Sequence, residues 1–151
     1  MTLSASLADI TQALVDKLTA NSGPLALNGV FYGDQDKLPA TPIACVEPDM
    51  KEIISITPFR KEDIDITVYI IIYHSIVESA QLNRKAVDIM AEAVETLINA
   101  DKNLKRLDGS DRVIHCYIKR VASGYAKKGN SIVRASRLTF SAITQDQLPQ
   151  T

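Results

Sequence analysis

The stretch Glu62–His74, EDIDITVYIIIYH, decides the fold of this chain. Its even-numbered residues from Ile64 to Ile72 are all isoleucine or valine, whereas its odd-numbered residues change from Asp63 and Asp65 to tyrosine and isoleucine. Alternation with a period of two predicts a β-strand. One face is therefore buried along the whole strand, and the other is exposed at its start and buried at its end. Since strands typically have about 5–6 residues, we expect this one to project from the body at its polar end.

Shorter strands are predicted on both sides of this long one. Residues 43–47 lie between Pro42 and Pro48, which favours an edge position because proline cannot donate to a ladder. Residues 52–57 are expected to be the hairpin partner of this strand. Further strands are predicted at 112–119, 120–127 and 131–143, with Gly129-Asn130 forming a two-residue type II′ turn. Residues 144–151 are expected to be a flexible tail.

Two amphipathic helices complete the pattern. The first covers residues 6–18, is capped by Ser6 and presents Leu7, Ile10, Leu14 and Leu18 on one side. The second follows the capping box Ser75–Glu78. Its predicted buried stripe consists of Leu82, Ala86, Ile89, Met90, Ala93 and Leu97, and its acidic side carries Glu78, Asp88, Glu92 and Glu95.

The order of these elements predicts one domain over residues 1–151. It is of the α+β class, with a mainly antiparallel β-sheet that has long hairpins and packs against two α-helices. Residues 25–41 are expected to be irregular because glycine, proline and aspartate interrupt them. The sequence shows no apolar run of the roughly 18–20 residues that a membrane span needs, and its start does not resemble a signal peptide. We therefore expect no membrane contact and a reducing compartment.

The charge of the chain is divided into two parts. Residues 1–111 carry 10 basic and 17 acidic residues, a balance of −7, whereas residues 112–151 carry 7 basic residues and only Asp146, a balance of +6. The net charge of −1 therefore conceals a strong dipole. Such a division favours a protein whose one side meets the opposite side of a neighbour, because complementary potentials steer association.

Residues that could carry catalytic chemistry are few. His74 and His115 have no second ligand at metal-binding spacing, and Cys45 and Cys116 lie in apolar, strand-like surroundings that predict buried free thiols. A nucleophilic pair of Cys116 with His74 stays open as an alternative. The sequence contains no GxGxxG or P-loop motif. We predict no catalytic, cofactor-binding or metal-binding residues and no cofactor.

Six basic residues fall in the last predicted hairpin, over residues 119–137, and no acidic residue occurs from Arg112 to Gln145. Three interpretations remain open. The hairpin can be a solvated edge that lysines keep soluble, a contact for an acidic protein surface, or a nucleic-acid contact. The low aromatic content of 5% and a pI of about 6.1 argue against the third.

The whole pattern resembles the tail terminator, or tail-completion, proteins of tailed bacteriophages. The resemblance covers about residues 5–145 and depends on element order and length. It is carried by SLADITQALVDKL, PIACVEPD, EDIDITVYIIIYH, ESAQLNRKAVDIMAEAVETLINA, KNLKRLDGSDRV and GNSIVRASRLTFSAIT.

This resemblance implies a ring, usually six-fold, that caps the tail tube at the tail–neck junction of the virion after assembly in the host cytoplasm. Its implied partners are further copies of itself, the tail tube protein and a neck or head-completion protein, and genome DNA passes through without specific binding. The candidate interface residues are Asp63, Asp65, Glu92, Glu95, Lys119, Arg120, Lys127, Lys128, Arg134 and Arg137. A lumen lined by the acidic strand or helix, with the basic hairpin at subunit contacts, is expected.

Two other functions stay open at this point. One is a nucleic-acid-binding or regulatory module that uses the basic hairpin 119–137. The other is a small enzyme whose site is assembled from residues 25–41.

Overall fold

A computed structural model describes residues 6–37, 41–56, 61–75 and 80–147. Five strands form one sheet in the order β1-β2-β3-β5-β4, and every neighbouring pair is antiparallel except β1 and β2. The α+β class with a mainly antiparallel sheet is confirmed. The strands are β1 (Gly29–Tyr32), β2 (Ile43–Ile56), β3 (Lys61–Ser75), β4 (His115–Lys128) and β5 (Ser131–Gln147), and the helices are α1 (Leu7–Ala20), α2 (Ser22–Leu25) and α3 (Ala80–Asn99).

The long strand β3 lies in the middle of the sheet and confirms its sequence pattern. Ile64, Ile66, Val68, Ile70 and Ile72 are at most 1% exposed and pack with side chains of α1 and α3 in the main core. We call this side of the sheet the covered face. The opposite side, which carries Asp63 through Tyr73 on alternate positions, is called the open face. It has a small second cluster of its own around Ile43, Cys45, Tyr73 and Val133.

The polar end of β3 extends beyond both outer strands. Glu62–Ile64 pair with Ile53–Ile56 of β2 on one side, and Lys61–Ile64 pair with Thr144–Gln147 of β5 on the other, whereas β4 begins opposite Ile143. This extension is therefore a tip of three paired strands. The prediction of a flexible tail is wrong for residues 144–147, because the ladder with β3 continues through them; residues 148–151 lie outside the described part.

The second strand corrects two predictions. Residues 43–47 and 52–57 are not partners in a hairpin: β2 is continuous from Ile43 to Ile56, with register shifts at Pro48/Met50 and Ile53/Ser55. The edge assignment is wrong for Ile43–Val46, because β1 pairs with these residues. The prediction that residues 25–41 are irregular is therefore wrong for Gly29–Tyr32, which form this strand. Pro48 lies just past the end of β1, where its missing N–H leaves no ladder bond unmade.

The last hairpin is simpler than predicted. Residues 112–119 and 120–127 do not form two strands: β4 is one strand from His115, with a register shift between Ile118 and Arg120. The two-residue turn is confirmed, since Lys128 pairs with Ser131. Of the two turn residues, only Gly129 has a positive φ, of 60°, as a type II′ turn requires.

The structure confirms the buried stripe predicted for α1 and corrects the one predicted for α3. Ser6 caps α1 by accepting a hydrogen bond from the Asp9 N–H (3.0 Å), and Ile10, Leu14 and Leu18 are fully buried. The stripe predicted for α3 is confirmed for Met90, which is buried, and for Leu97, which packs against the core, but it is wrong for Ala86, Ile89 and Ala93, which are exposed. The residues that face the sheet are Val87, Met90, Ala91, Val94 and Ile98. Residues 76–79, with most of the predicted capping box, lie outside the described part.

Both cysteines are buried free thiols, as predicted. They cannot form a disulfide with each other, because Cys45 belongs to the open-face cluster and Cys116 to the main core. Burial raises the pKa of each thiol to about 11.

We expect the native protein to resist thiol reagents at pH 8. With a pKa of about 11, only on the order of 0.1% of either thiol is ionised, and both are also shielded from the reagent. Reaction with a chromogenic disulfide should be at least about 100-fold slower than in urea-unfolded protein. Fast native labelling of one thiol equivalent would contradict the burial of that cysteine.

Candidate assembly interface

The sheet has two free edges on opposite sides. Among the described residues, β4 pairs only with β5, so no strand lies along the outer side of His115–Lys128. The start of this side is already engaged, because the Cys116 N–H donates to Lys102 (2.7 Å) and the Ile118 N–H donates to the Asn99 side chain (2.9 Å). The backbone that is open to another chain therefore begins after Ile118. On the other side, β1 covers β2 only up to Val46, so the outer side of Pro48–Ile56 has no strand partner in the described part of the chain. We call these segments the β4 edge and the β2 edge. Unpaired strand edges are templates for another chain, and monomeric proteins usually protect them.

Both edges carry exposed apolar side chains. Met50, Ile53 and Ile54 on the β2 edge are 45–52% exposed. Tyr117, Val121 and Tyr125 on the β4 edge are 40–62% exposed. Together they are six of the eleven large exposed apolar residues in the described part. An edge that only needed protection from other chains would not display them.

The charges of the two edges are opposite. The β4 edge has the basic residues Lys119, Arg120, Lys127 and Lys128 and no acidic one. The β2 edge has Asp49 and Glu52 against Lys51, and all three are exposed. The division of charge along the sequence thus becomes a division between the two sides of one sheet.

The predicted basic residues do not form one patch. Arg120, Lys128 and Arg137 are on the open face, whereas Lys127 and Arg134 are on the covered face. Three of the six have partners within the chain. Lys128 bonds Asp34 at 2.9 Å and is only 12% exposed, Arg137 stacks on Tyr69, and Arg134 stacks on Tyr125. The exposed cations at this edge are Lys119, Arg120 and Lys127.

The predicted acidic residues lie on both sides of the sheet. On the open face, Asp63 accepts a hydrogen bond from Gln145 (2.9 Å) and Asp65 accepts one from Ser141 (3.1 Å). Glu92 and Glu95 belong to α3, which packs on the covered face. The acidic strand and the acidic helix therefore cannot face the same space.

A polar network on the open face was not predicted from the sequence. Asp34 accepts hydrogen bonds from the Tyr73 hydroxyl (2.7 Å) and from Lys128 (2.9 Å), and its own N–H donates to Glu47 (2.5 Å). Burial alone would raise the pKa of Asp34, but the bonds from Tyr73 and Lys128 outweigh it and lower this pKa. Burial and the Asp34 carboxylate raise the pKa of Tyr73. The network ties residues 33–35 to the end of the β4–β5 hairpin.

The Asp34 network should contribute to stability above pH 5 and lose its contribution in acid. A lowered pKa in the folded state means that the contribution is complete above the ordinary pKa near 4 and disappears as the pH falls through the folded value. Since the Asp34 side chain is 38% exposed, we expect no more than about 1 kcal/mol. Urea midpoints between pH 6 and pH 3 should fall less for Asp34→Asn than for wild type. The control Asp16→Asn should follow wild type, and equal slopes for all three proteins would contradict the network's role.

The residues considered for catalysis are far apart. Cys116 lies beside Ala142, which pairs with Ile66, whereas His74 is eight residues further along β3, about 26 Å away at 3.3 Å per residue. Cys116 and His74 therefore cannot form the nucleophilic pair that the sequence alone allows. In the described part of the chain, no group of three or more His, Cys, Asp or Glu residues is placed to hold a metal ion. None of the described helices is long and apolar enough to cross a membrane.

A cavity of about 530 Å³ lies between α1 and the loop that follows α3. Lys17, Asp101 and Arg112 line it, and Lys17 is paired with Asp101 at 3.1 Å. None of its lining residues comes from the segment 25–41 that was considered for an enzyme site.

Comparison with known proteins shows a likeness of fold. No protein-family model matches the chain, and no curated protein matches it. The fold is similar to that of a chain in a solved structure described as the virion of a native gene transfer agent particle, with a TM-score of 0.61 and 19% sequence identity. The alignment covers 95% of this chain and 100% of the other. At this identity the likeness concerns the fold.

Proposed function

We propose that this chain is a structural virion protein that assembles head to tail into a closed ring. The observation that carries the proposal is the pair of free sheet edges, which lie on opposite sides of the subunit, bear opposite charges and expose apolar side chains. When two different surfaces of one subunit meet, the contact is heterologous, and a rotation that closes produces a ring. In this arrangement the β4 edge of each copy contacts the β2 edge of the next.

The virion setting is supported by the fold. A chain from a gene transfer agent virion has the same fold over nearly the full length of both chains. The element order also resembles that of bacteriophage tail terminators. We therefore assign the ring to the tail–neck junction, where it caps the tail tube and serves as the docking surface for a neck or head-completion protein.

The mechanism of such a cap is steric and needs neither a catalytic residue nor a cofactor. When the ring binds the last layer of the tail tube, it buries the surface to which the next tube subunit would add. The opposite side of the ring then offers a different surface to the neck. The function is thus termination and docking, not enzymatic turnover.

The passage of DNA limits the charge of the side chains that can line the lumen. A lumen rich in exposed cations would hold phosphates, so an acidic or neutral lining is required for the genome to slide. Since the acidic strand and α3 lie on opposite sides of the sheet, only one of them lines the channel. Glu92 is exposed, whereas Asp63 and Asp65 are engaged by Gln145 and Ser141, so we assign the lining to α3.

Light scattering at low and moderate salt, with negative-stain images of the same samples, tests the ring. We expect closed rings at low salt and dissociation as salt screens the opposed charges. A salt-insensitive monomer at all concentrations would contradict an intrinsic ring. A gel shift on non-specific duplex DNA tests the nucleic-acid alternative, because phosphate contacts give a steep loss of affinity with salt.

A further inference from the structure

Arg134 is a buried cation with no counter-ion among the described residues. Its side chain lies on the covered face of β5, and the residue is 8% exposed. Its guanidinium stacks on the Tyr125 ring at 4.5 Å, and its Nε has no hydrogen-bond partner. Within the described part of the chain, no carboxylate forms an ion pair with it. A buried charge is normally paired, because removing it from water without a partner is costly.

The groups around Arg134 are polar but do not neutralise it. His74 lies directly opposite on β3, and its Nε2 is buried without a partner. The Ser136 hydroxyl, on the same face two residues along β5, also has no partner. Asp88 of α3 is the acidic group that approaches this part of the sheet, and it contacts Ser123 at 3.4 Å. Since burial lowers the pKa of His74, the imidazole adds no second charge at neutral pH.

The rim of this site is apolar and exposed. Tyr125, which covers the guanidinium, is 62% exposed, and Ile132, two residues before Arg134 on the same face, is 60% exposed. Arginine and tyrosine are both enriched in the hot spots of protein–protein interfaces. The partner that Arg134 lacks is therefore a carboxylate with apolar side chains beside it.

The β2 edge has this composition. Asp49 and Glu52 are exposed carboxylates, and Met50 and Ile53 beside them are exposed apolar residues. We infer that Arg134 binds a carboxylate from the β2 edge of a second copy, Asp49 or Glu52, with Tyr125 and Ile132 closing around the pair. This inference rests on the proposed ring and names the contact that anchors it. A bidentate arginine–carboxylate pair would satisfy a cation that is unpaired in the isolated subunit.

The test separates association from folding. Arg134→Met keeps most of the side chain's volume and removes its charge, so we expect a urea midpoint close to that of wild type. Self-association, followed by sedimentation velocity, should weaken by at least about tenfold. The matched control is Arg137→Met, which removes a stacked arginine from the open face of the same strand. It should change association by less than about threefold.

Changes on the partner side identify the carboxylate. Asp49→Asn or Glu52→Gln should reproduce the loss, and the variant that does so should add nothing to Arg134→Met in a double-mutant cycle. Wild-type rings that persist in Arg134→Met would overturn this contact and leave the ring standing. A wild type that never associates would overturn the ring and the contact together. Loss of duplex-DNA binding with unchanged association would show that the arginine serves phosphate instead.

Discussion

Lys119→Glu combined with Lys127→Glu prevents ring formation while the subunit stays folded. Both lysines are exposed on the β4 edge, and neither is paired with a carboxylate among the described residues. Their reversal makes the β4 edge acidic, so that it opposes the carboxylates Asp49 and Glu52 on the β2 edge of the next copy. Like charges across an interface cost several kcal/mol, so the dissociation constant should rise by about 100-fold or more. Light scattering against concentration measures the shift, and circular dichroism confirms the fold.

A charge reversal on the β2 edge serves as the control and should have the opposite effect on self-association. Lys51 is an exposed cation on the acidic β2 edge, so Lys51→Glu should leave association unchanged or strengthen it. Lys128 is left intact in these variants because it is bonded to Asp34 within the subunit. Rings of normal affinity in the double variant would remove the β4 edge from the interface. Equal weakening by Lys51→Glu would show that only the net charge of the subunit matters.

Phe140→Ala should produce the largest loss of stability. Phe140 is fully buried at the centre of β5, between Val68 and Ile118 on the neighbouring strands. Truncation of a buried phenylalanine to alanine costs about 3–5 kcal/mol in lost burial and in the cavity left behind. That is a large part of the roughly 5–15 kcal/mol by which domains are stable.

Urea unfolding at a salt concentration at which the protein is monomeric measures this loss without a contribution from assembly. The control Thr139→Ala changes the neighbouring residue, whose half-buried side chain lies on the open face, and should cost less than about 1 kcal/mol. A loss below about 1 kcal/mol for Phe140→Ala would contradict the packing of both helices on the covered face.

The sequence correctly predicts those helices and strands whose apolar residues form a long pattern on a single side. The alternation from Ile64 to Ile72 leaves one assignment, because a strand with a period of two can bury only those five side chains together. The stripe of α1 is equally clear. In α3, apolar residues surround more than half of the helix, so the pattern fits two stripes, and the sheet takes the one through Val87, Val94 and Ile98. The periodicity of the sequence alone does not distinguish between these two stripes.

The missed elements depend on long-range pairing. The strand β1 has four residues, too few for a period, and forms because Ile43–Val46 present an unpaired edge to it. The ladder with β3 also keeps residues 144–147 in a strand despite their polar composition. The sequence predicts the charge of each candidate interface residue, but it does not predict whether the side chain is exposed to a partner. Lys128 loses its exposure to Asp34 and Tyr73, which come from distant parts of the chain, and Arg134 loses its exposure to Tyr125 on the neighbouring strand of the hairpin.

Cross-linking of mixed variants tests the head-to-tail contact most directly. One variant carries Lys127→Cys on the β4 edge, close to Tyr125, and another carries Lys51→Cys on the β2 edge, close to Asp49. The native thiols stay unreactive because they are buried with pKa values of about 11. A flexible bismaleimide is added to each variant alone and to their equimolar mixture. Contact between different edges predicts cross-linked dimers only in the mixture. Dimers formed by either variant alone would show a symmetric contact between like edges and would contradict the ring.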